Sequence, residues 1–180
     1  MEMAVSDGLE GFSVNKLAKA CGISVATLYI YYRDKNDLIT QIALEEGKRM
    51  GSIVLKDFNP ELPFAEGLRM QWKNRAKHMM ENPVTMLFFE QLRSSSYHET
   101  AITALTADFK EIMGKFVKNA VERGEINKMP VEVYWSIAFA PLYALIRFHN
   151  EGWNLAGKSF TVSEKILWQT FELVLKALKP

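Results

Sequence analysis

An all-α protein is predicted, with a small helix-turn-helix head of three helices at the N-terminus and a larger helical body behind it. Three observations carry that expectation. Every strong apolar pattern along the 180 residues recurs at spacings of three and four, and no segment alternates like a half-buried strand. Hydroxyl caps, prolines and glycines divide the chain into nine helical stretches, the first of them short. Residues 13–38, SVNKLAKACGISVATLYIYYRDKNDL, read as two short helices joined by a tight turn, then a basic residue and a third helix.

The first elements form the head. Residues 1–7 read as the last turns of a helix that stops before Gly8. Ser13 can cap the next helix by accepting from an unpaired backbone N–H, and Val14, Leu17, Ala18 and Cys21 give that helix one apolar face. Gly22 stands where the chain must turn sharply. Ser24 caps again, with Val25, Leu28, Tyr29 and Tyr32 as the inward stripe. Asp34 and Lys35 interrupt, and a helix over 36–54 turns Leu38, Ile39, Ile42, Ala43, Met50 and Val54 inward.

Asn59-Pro60-Glu61-Leu62-Pro63 is a loop, and a helix over 64–81 ends at Asn82-Pro83, because the residue before proline is pushed out of the α region. Pro83 opens a helix to Arg93. Ser96-x-x-Glu99 has capping-box spacing and starts a long helix reaching Gly124. Pro130 starts another through Asn150, and Thr161-x-x-Glu164 caps a last one to Ala177.

A helix-turn-helix places its second helix in a DNA major groove. Gly8, Leu9, Ser13, Leu17, Ala18, Cys21, Gly22, Ile23, Ser24, Leu28, Tyr29, Tyr31, Tyr32, Lys35 and Leu38 fall in register with the head of the tetracycline-repressor (TetR) family, which this chain resembles. The LYIYY run followed by Lys35 is the specific part of that resemblance; in the body only helix order and length agree. The family's first helix is about twice as long as residues 1–7 allow, so the chain is expected to be shortened at its start relative to a working protein. The resemblance implies a head over residues 1–45 and a ligand-binding and dimerisation body over 46–180.

Composition bounds the rest. At 48% hydrophobic residues the chain can bury a sizeable core, and its net charge of +1 gives no bulk attraction to nucleic acid. Lys16, Lys19, Arg33 and Lys35 make the motif basic, but Asp7, Glu10, Asp37, Glu45 and Glu46 around it remove the excess. That is in tension with DNA binding, where phosphate contacts supply much of the affinity. Cys21 is the one cysteine and reads as a small packed residue at the turn, not a thiol switch. With no secretory or membrane-spanning segment visible, a cytoplasmic location is expected. No nucleophile elbow, phosphate loop, paired carboxylates or metal-ligand spacing appears, so neither an enzyme nor a metal or cofactor site is predicted.

Candidate DNA contacts are Ser24, Val25, Ala26 and Thr27 at the start of the second motif helix, where base edges are reached. Thr27 offers a hydroxyl and a methyl. Tyr29 and Tyr31 match family positions that touch phosphate, although Tyr29 also shares the packing stripe, and Lys35 opens the next helix. Leu28 and Tyr32 are assigned to packing.

The resemblance further implies a small effector that weakens binding to a palindromic operator, and a homodimer. The Met- and aromatic-rich body offers Trp72, Met86, Phe89, Met113, Phe116 and Tyr143 as lining for an apolar or amphipathic molecule, against the rival reading that they are core. Trp135, Phe139, Leu142, Ile146, Ile166, Phe171 and Leu175, on helices apolar over more than one stripe, are the expected dimer contacts. His78 and His98 are expected at the surface, and His149 near a helix end whose dipole favours a cation. A partner-binding module that has lost DNA binding is the alternative.

Overall fold

The structure is a computed structural model, and it describes residues 1–103 and 107–180. Among the described residues there are eleven α-helices and no strand: α1 (Glu2–Asp7), α2 (Val14–Ala20), α3 (Val25–Tyr31), α4 (Lys35–Val54), α5 (Phe64–Glu81), α6 (Pro83–Arg93), α7 (His98–Thr103), α8 (Ala107–Glu122), α9 (Val131–Ala138), α10 (Ala140–Glu151) and α11 (Glu164–Leu178). The all-α expectation holds, and α5 and α6 begin and end where the Pro63 and Asn82-Pro83 signals put them.

The count of nine does not hold. Continuity of the long helix predicted from Ser96 turns on residues 104–106, which lie outside the described residues; α7 and α8 flank them. The helix predicted from Pro130 to Asn150 is two, α9 and α10, bent by 41°. Pro141 is the cause: it has no N–H to offer Ile137, and its ring clashes with that carbonyl, so the helix breaks at Phe139 (φ −128°, ψ −26°). Two predicted caps also move. Ser163, not Thr161, accepts from Ile166 N–H (3.3 Å) to start α11, and the Ser96 hydroxyl bonds to Glu10 Oε1 (3.2 Å) instead of capping α7.

The chain forms two compact units. One comprises Met1–Gly51 with Asn82–Thr106, the other Ser52–Glu81 with Ala107–Pro180. In the first, Leu9, Phe12, Leu38, Ile39, Phe88 and Leu92 make a core from the first turns, α4 and α6. Polar bonds tie α6 and the turn after it to the head: Gln91 Nε2 donates to Val5 O (3.0 Å), and Tyr97 OH donates to Asn36 Oδ1 (2.5 Å). Thr85 Oγ1 donates to Glu46 Oε1 (3.0 Å), which also takes Arg49 Nη2 at 2.6 Å.

In the second unit, Phe64, Leu68, Trp72, Phe116, Phe139 and Phe171 are buried together. Glu125 Oε2 accepts from Phe64 N–H (2.6 Å), supplying the start of α5 with an acceptor from 61 residues away. At the α9–α10 break, Trp72 Nε1–H donates to Ala138 O (2.8 Å). No single described helix is long and apolar enough to cross a membrane; the bent α9–α10 pair passes by length and composition, but its Tyr134, Ala138, Leu142 and Ile146 are core residues.

Candidate nucleic-acid interface and body core

The head builds its candidate interface from capped turns. Ser13 Oγ accepts from Lys16 N–H (3.4 Å) at the start of α2. Gly22 then takes φ +67°, a left-handed conformation that suits glycine, and Ile23 N–H closes the turn onto Ala18 O (3.0 Å). Ser24 is extended, and its Oγ accepts from Thr27 N–H (3.0 Å) while sharing a second bond with Thr27 Oγ1 (2.8 Å). Thr27 therefore presents its methyl and the part of its hydroxyl that Ser24 Oγ does not engage.

Leu28 is buried and Tyr32 packs against the head's core, as assigned from the stripe. The opposite face of α3 is open. Ser24 and Ala26 are exposed, Tyr29 is 49% exposed, Tyr31 73%, and Val25 and Thr27 are half-buried. Ile30 was not among the sequence candidates, yet at 76% it is the most exposed large residue of α3. The signal was available: in LYIYY it falls off the 25, 28, 29, 32 stripe, so its apolar side chain had to face outward.

Three of the four local cations are tethered. Lys35, half-buried at the start of α4, donates from Nζ to Glu10 O (2.8 Å). Lys16 pairs with Asp7 at 2.9 Å, and Arg33 lies 3.7 Å from Asp37. Asp37 accepts Arg33 N–H (2.9 Å), and that bond, with a smaller one from Gln41, holds its carboxyl below the usual carboxylate range. Asp34 Oδ1 in turn accepts Asp37 N–H (2.8 Å), which caps α4. Cys21 is exposed at the turn, not packed as expected.

Residues 1–42 match the family described as "Bacterial regulatory proteins, tetR family". That region is similar to the DNA-binding head of TetR-family regulators. The chain is 33% identical over 88 residues to an HTH-type transcriptional regulator of Haemophilus influenzae, a stretch covering 49% of this chain and 47% of that one. It is 30% identical over 115 residues to an HTH-type regulator of Mycobacterium tuberculosis, covering 61% and 57%. The matched stretches thus span about half the length of these curated relatives. Among solved structures, a TetR family regulator from Marinobacter aquaeolei VT8 superposes with TM-score 0.75 at 25% identity, over 98% of this chain and 92% of that one. A TetR-family regulator from Haemophilus influenzae RD has the same fold (TM-score 0.77, 21% identity, 99% and 91% covered).

The helical body arranges its candidates differently from the sequence expectation. Of the six predicted lining residues, Met86 and Phe89 lie on α6 in the first unit, and Phe89 packs on the head's core cluster. Trp72 and Phe116 are fully buried in the second unit, while Met113 and Tyr143 are half-buried. Phe116 is locked by rings, edge-on to Phe58 (5.1 Å) and stacked on Phe64 (5.6 Å).

Of the predicted dimer contacts, Phe139, Leu142, Ile146 and Phe171 have no exposed surface and Leu175 only 7%. Side chains already enclosed within one chain have no area left to bury against a second copy, so these five are core residues of the body. Trp135 and Ile166 keep partial exposure. The outward apolar positions on these helices are Val131 (68%), Leu173 (65%) and Val133 (44%), with Ala140, Ala144 and Ala177 also exposed.

His78, expected at the surface, is buried on the inward face of α5; His98 is exposed as expected. His149 Nδ1 accepts from Val162 N–H (3.2 Å), tying the end of α10 to the segment before α11. The sequence reading missed Arg75, which is 2% exposed with Phe139 4.4 Å and Trp135 5.4 Å from its guanidinium carbon. It stands seven residues after Leu68 on the same buried stripe, a polar residue at an inward position, and that was its signal.

Proposed function

We propose that this chain is a DNA-binding transcriptional regulator, acting in the cytoplasm as a homodimer that represses from a palindromic operator and is released by a small apolar or amphipathic effector. The observation that carries the reading is the outer face of α3. A helix of the TetR head, fixed by its Ser24 cap and Leu28 packing, leaves Ala26, Tyr29, Ile30 and Tyr31 exposed along one side. Folding alone gives no reason to expose three large side chains there, whereas a major groove accommodates them. Ser24, Val25, Ala26 and Thr27 would meet base edges; Tyr29, Tyr31 and Lys35 would meet phosphate.

For the dimer, Val131, Leu173 and the exposed alanines of α10 and α11 support a two-fold seam, with Trp135 and Ile166 at its margin. For the effector, Trp72, Met113, Phe116 and Tyr143 in the second unit support an apolar chamber. Head over 1–45 and body over 46–180 remain the functional division in this reading.

One observation favours the alternative, a partner-binding module without DNA affinity: Lys16, Arg33 and Lys35 are each engaged by Asp7, Asp37 or Glu10 O. A DNA titration against salt separates the two. A regulator releases counterions with a steep slope in log–log form, which Lys35→Ala reduces by about one phosphate's share for all sequences. Thr27→Ala should weaken specific sites selectively. Absence of duplex binding at low salt by folded protein would select the partner-binding reading.

A further inference from the structure

The second unit buries a positive charge without a negative one. Arg75 on α5 is 2% exposed, and both its hydrogen-bond partners are neutral: Nη1 donates to Tyr143 OH (2.8 Å) and Nη2 to Gln71 Oε1 (3.4 Å). Among the described residues no Asp or Glu pairs with it. An arginine cannot shed its proton to escape burial, and an unpaired buried charge is strongly disfavoured. The rings of Phe139, Trp135 and Phe109, at 4.4, 5.4 and 5.9 Å, offer cation–π attraction, which offsets part of that cost and neutralises none of the charge.

Around the guanidinium the missing groups are acceptors. Arg75 Nε–H, the Gln71 amide nitrogen and the Tyr134 hydroxyl are all buried without a hydrogen-bond partner among the described residues. Gln71 is fully buried and Tyr134 is 4% exposed. Burial lifts the Tyr134 hydroxyl well above the ordinary tyrosine range, so it stays a donor. Three unsatisfied donors and one uncompensated positive charge, on α5 and α9 of a single unit, call for one anion with two adjacent oxygens. Water could fill the donors and would leave the charge.

We infer that the body binds a monocarboxylate with an apolar tail, its head group seated on Arg75 with Gln71, Tyr134 and Tyr143 around it. This rests on the effector-responsive reading and names the effector's chemistry. A carboxylate matches the planar fork of a guanidinium. Its single charge balances a single Arg, whereas a phosphate monoester would bring an excess. The surroundings decide the tail: Phe109, Trp135 and Phe139 line the guanidinium, and the Trp72 indole N–H is already committed to Ala138 O.

Matched ligand pairs test it by calorimetric titration of the full chain: octanoate against octanamide, and 1-naphthylacetate against 1-naphthylacetamide. At least one carboxylate should bind saturably and about tenfold or more tighter than its amide. Arg75→Met should abolish that preference, and Arg75→Lys, which keeps the charge and loses the fork, should retain part of it. Thermal unfolding without ligand guards against a folding defect: Arg75→Met should unfold cooperatively at an unchanged or higher temperature, since it removes an unpaired buried charge. Equal binding of acid and amide, or carboxylate binding that survives Arg75→Met, would overturn the inference while leaving an apolar effector site standing. Binding of none of the four probes would overturn it too, and the DNA titration would then judge the regulator reading independently.

Discussion

Gly67 lies in the interior of α5, where glycine costs about 1 kcal/mol relative to alanine, so Gly67→Ala would ordinarily stabilise. Here a Cβ would stand 2.5 Å from Phe116 Cε2 and 2.7 Å from Cζ, with Phe58 Cε2 at 3.2 Å. Ordinary carbon contacts are about 3.5–4.0 Å, so the Phe116 ring must retreat by about 1 Å. It has little room, being fully buried, stacked on Phe64 and edge-on to Phe58. Overpacking of a clamped ring costs about 2–3 kcal/mol, which leaves a net loss of roughly 1–2 kcal/mol after the helix gain. For a chain of this size that is about 2–8 °C in Tm. Thermal and urea unfolding should be compared for Gly67→Ala, Phe116→Leu and the double variant. The alanine should destabilise by itself, and be neutral or stabilising once Phe116→Leu has replaced the ring by a smaller side chain. A higher Tm for Gly67→Ala in the native background, or a cost unchanged by Phe116→Leu, would refute the packing argument.

Other consequences arise from single bonds. Trp72→Phe removes the donor to Ala138 O at the α9–α10 break and should cost about 1–3 kcal/mol for the orphaned carbonyl alone, read by urea unfolding. Ser163→Ala should cost about 1 kcal/mol by loss of the α11 cap, and Thr161→Ala under about 0.5; the reverse ranking would restore Thr161 as the cap. Burial pushes Glu125 up, but the bonds from Arg123 and from Phe64 N–H outweigh it and hold the carboxyl below its ordinary 4.5. A carboxyl depressed by folding stabilises fully above its unfolded value and loses that contribution as pH falls through the folded one. Stability should therefore decline from about pH 4.5 downward, and Glu125→Gln should be less stable at pH 7 with a shallower acid slope. Parallel acid slopes for the two proteins would contradict this.

The head was legible because its signals are local. A cap, a stripe and a left-handed glycine sit within a few residues of the structure they dictate, so Ser13, Gly22, Ser24 and Leu28 act as expected. The same holds for the ends of α5 and α6, set by prolines. Misreadings arose where an effect depended on distant partners. Two apolar stripes on the last helices suggested an interface, but helix α5 and its neighbours bury Phe139, Ile146 and Phe171 within one chain. Phe89 looked like a body residue by position and packs with the head, because α6 returns to α1 through Gln91 and Val5 O. The helix expected from Pro130 through Asn150 is split because Pro141 acts through its backbone on Ile137, an effect an apolar stripe does not register. Arg75 was overlooked because a charged residue on an inward stripe is usually exposed by a small rotation of the helix; here α8, α9 and α10 close over it.

The most direct test of the regulator account is selection of bound sequences from random duplex DNA at low salt, with Ala26→Glu as the control. Ala26 is exposed on the first turn of α3, so the substitution leaves packing intact and sets a negative charge against the groove. The account predicts an enriched motif with two-fold symmetry, its half-sites about one helical turn apart, that disappears with Ala26→Glu. No enrichment from folded protein, or the same motif recovered with the control, would contradict the assignment of α3 as the helix that reads DNA.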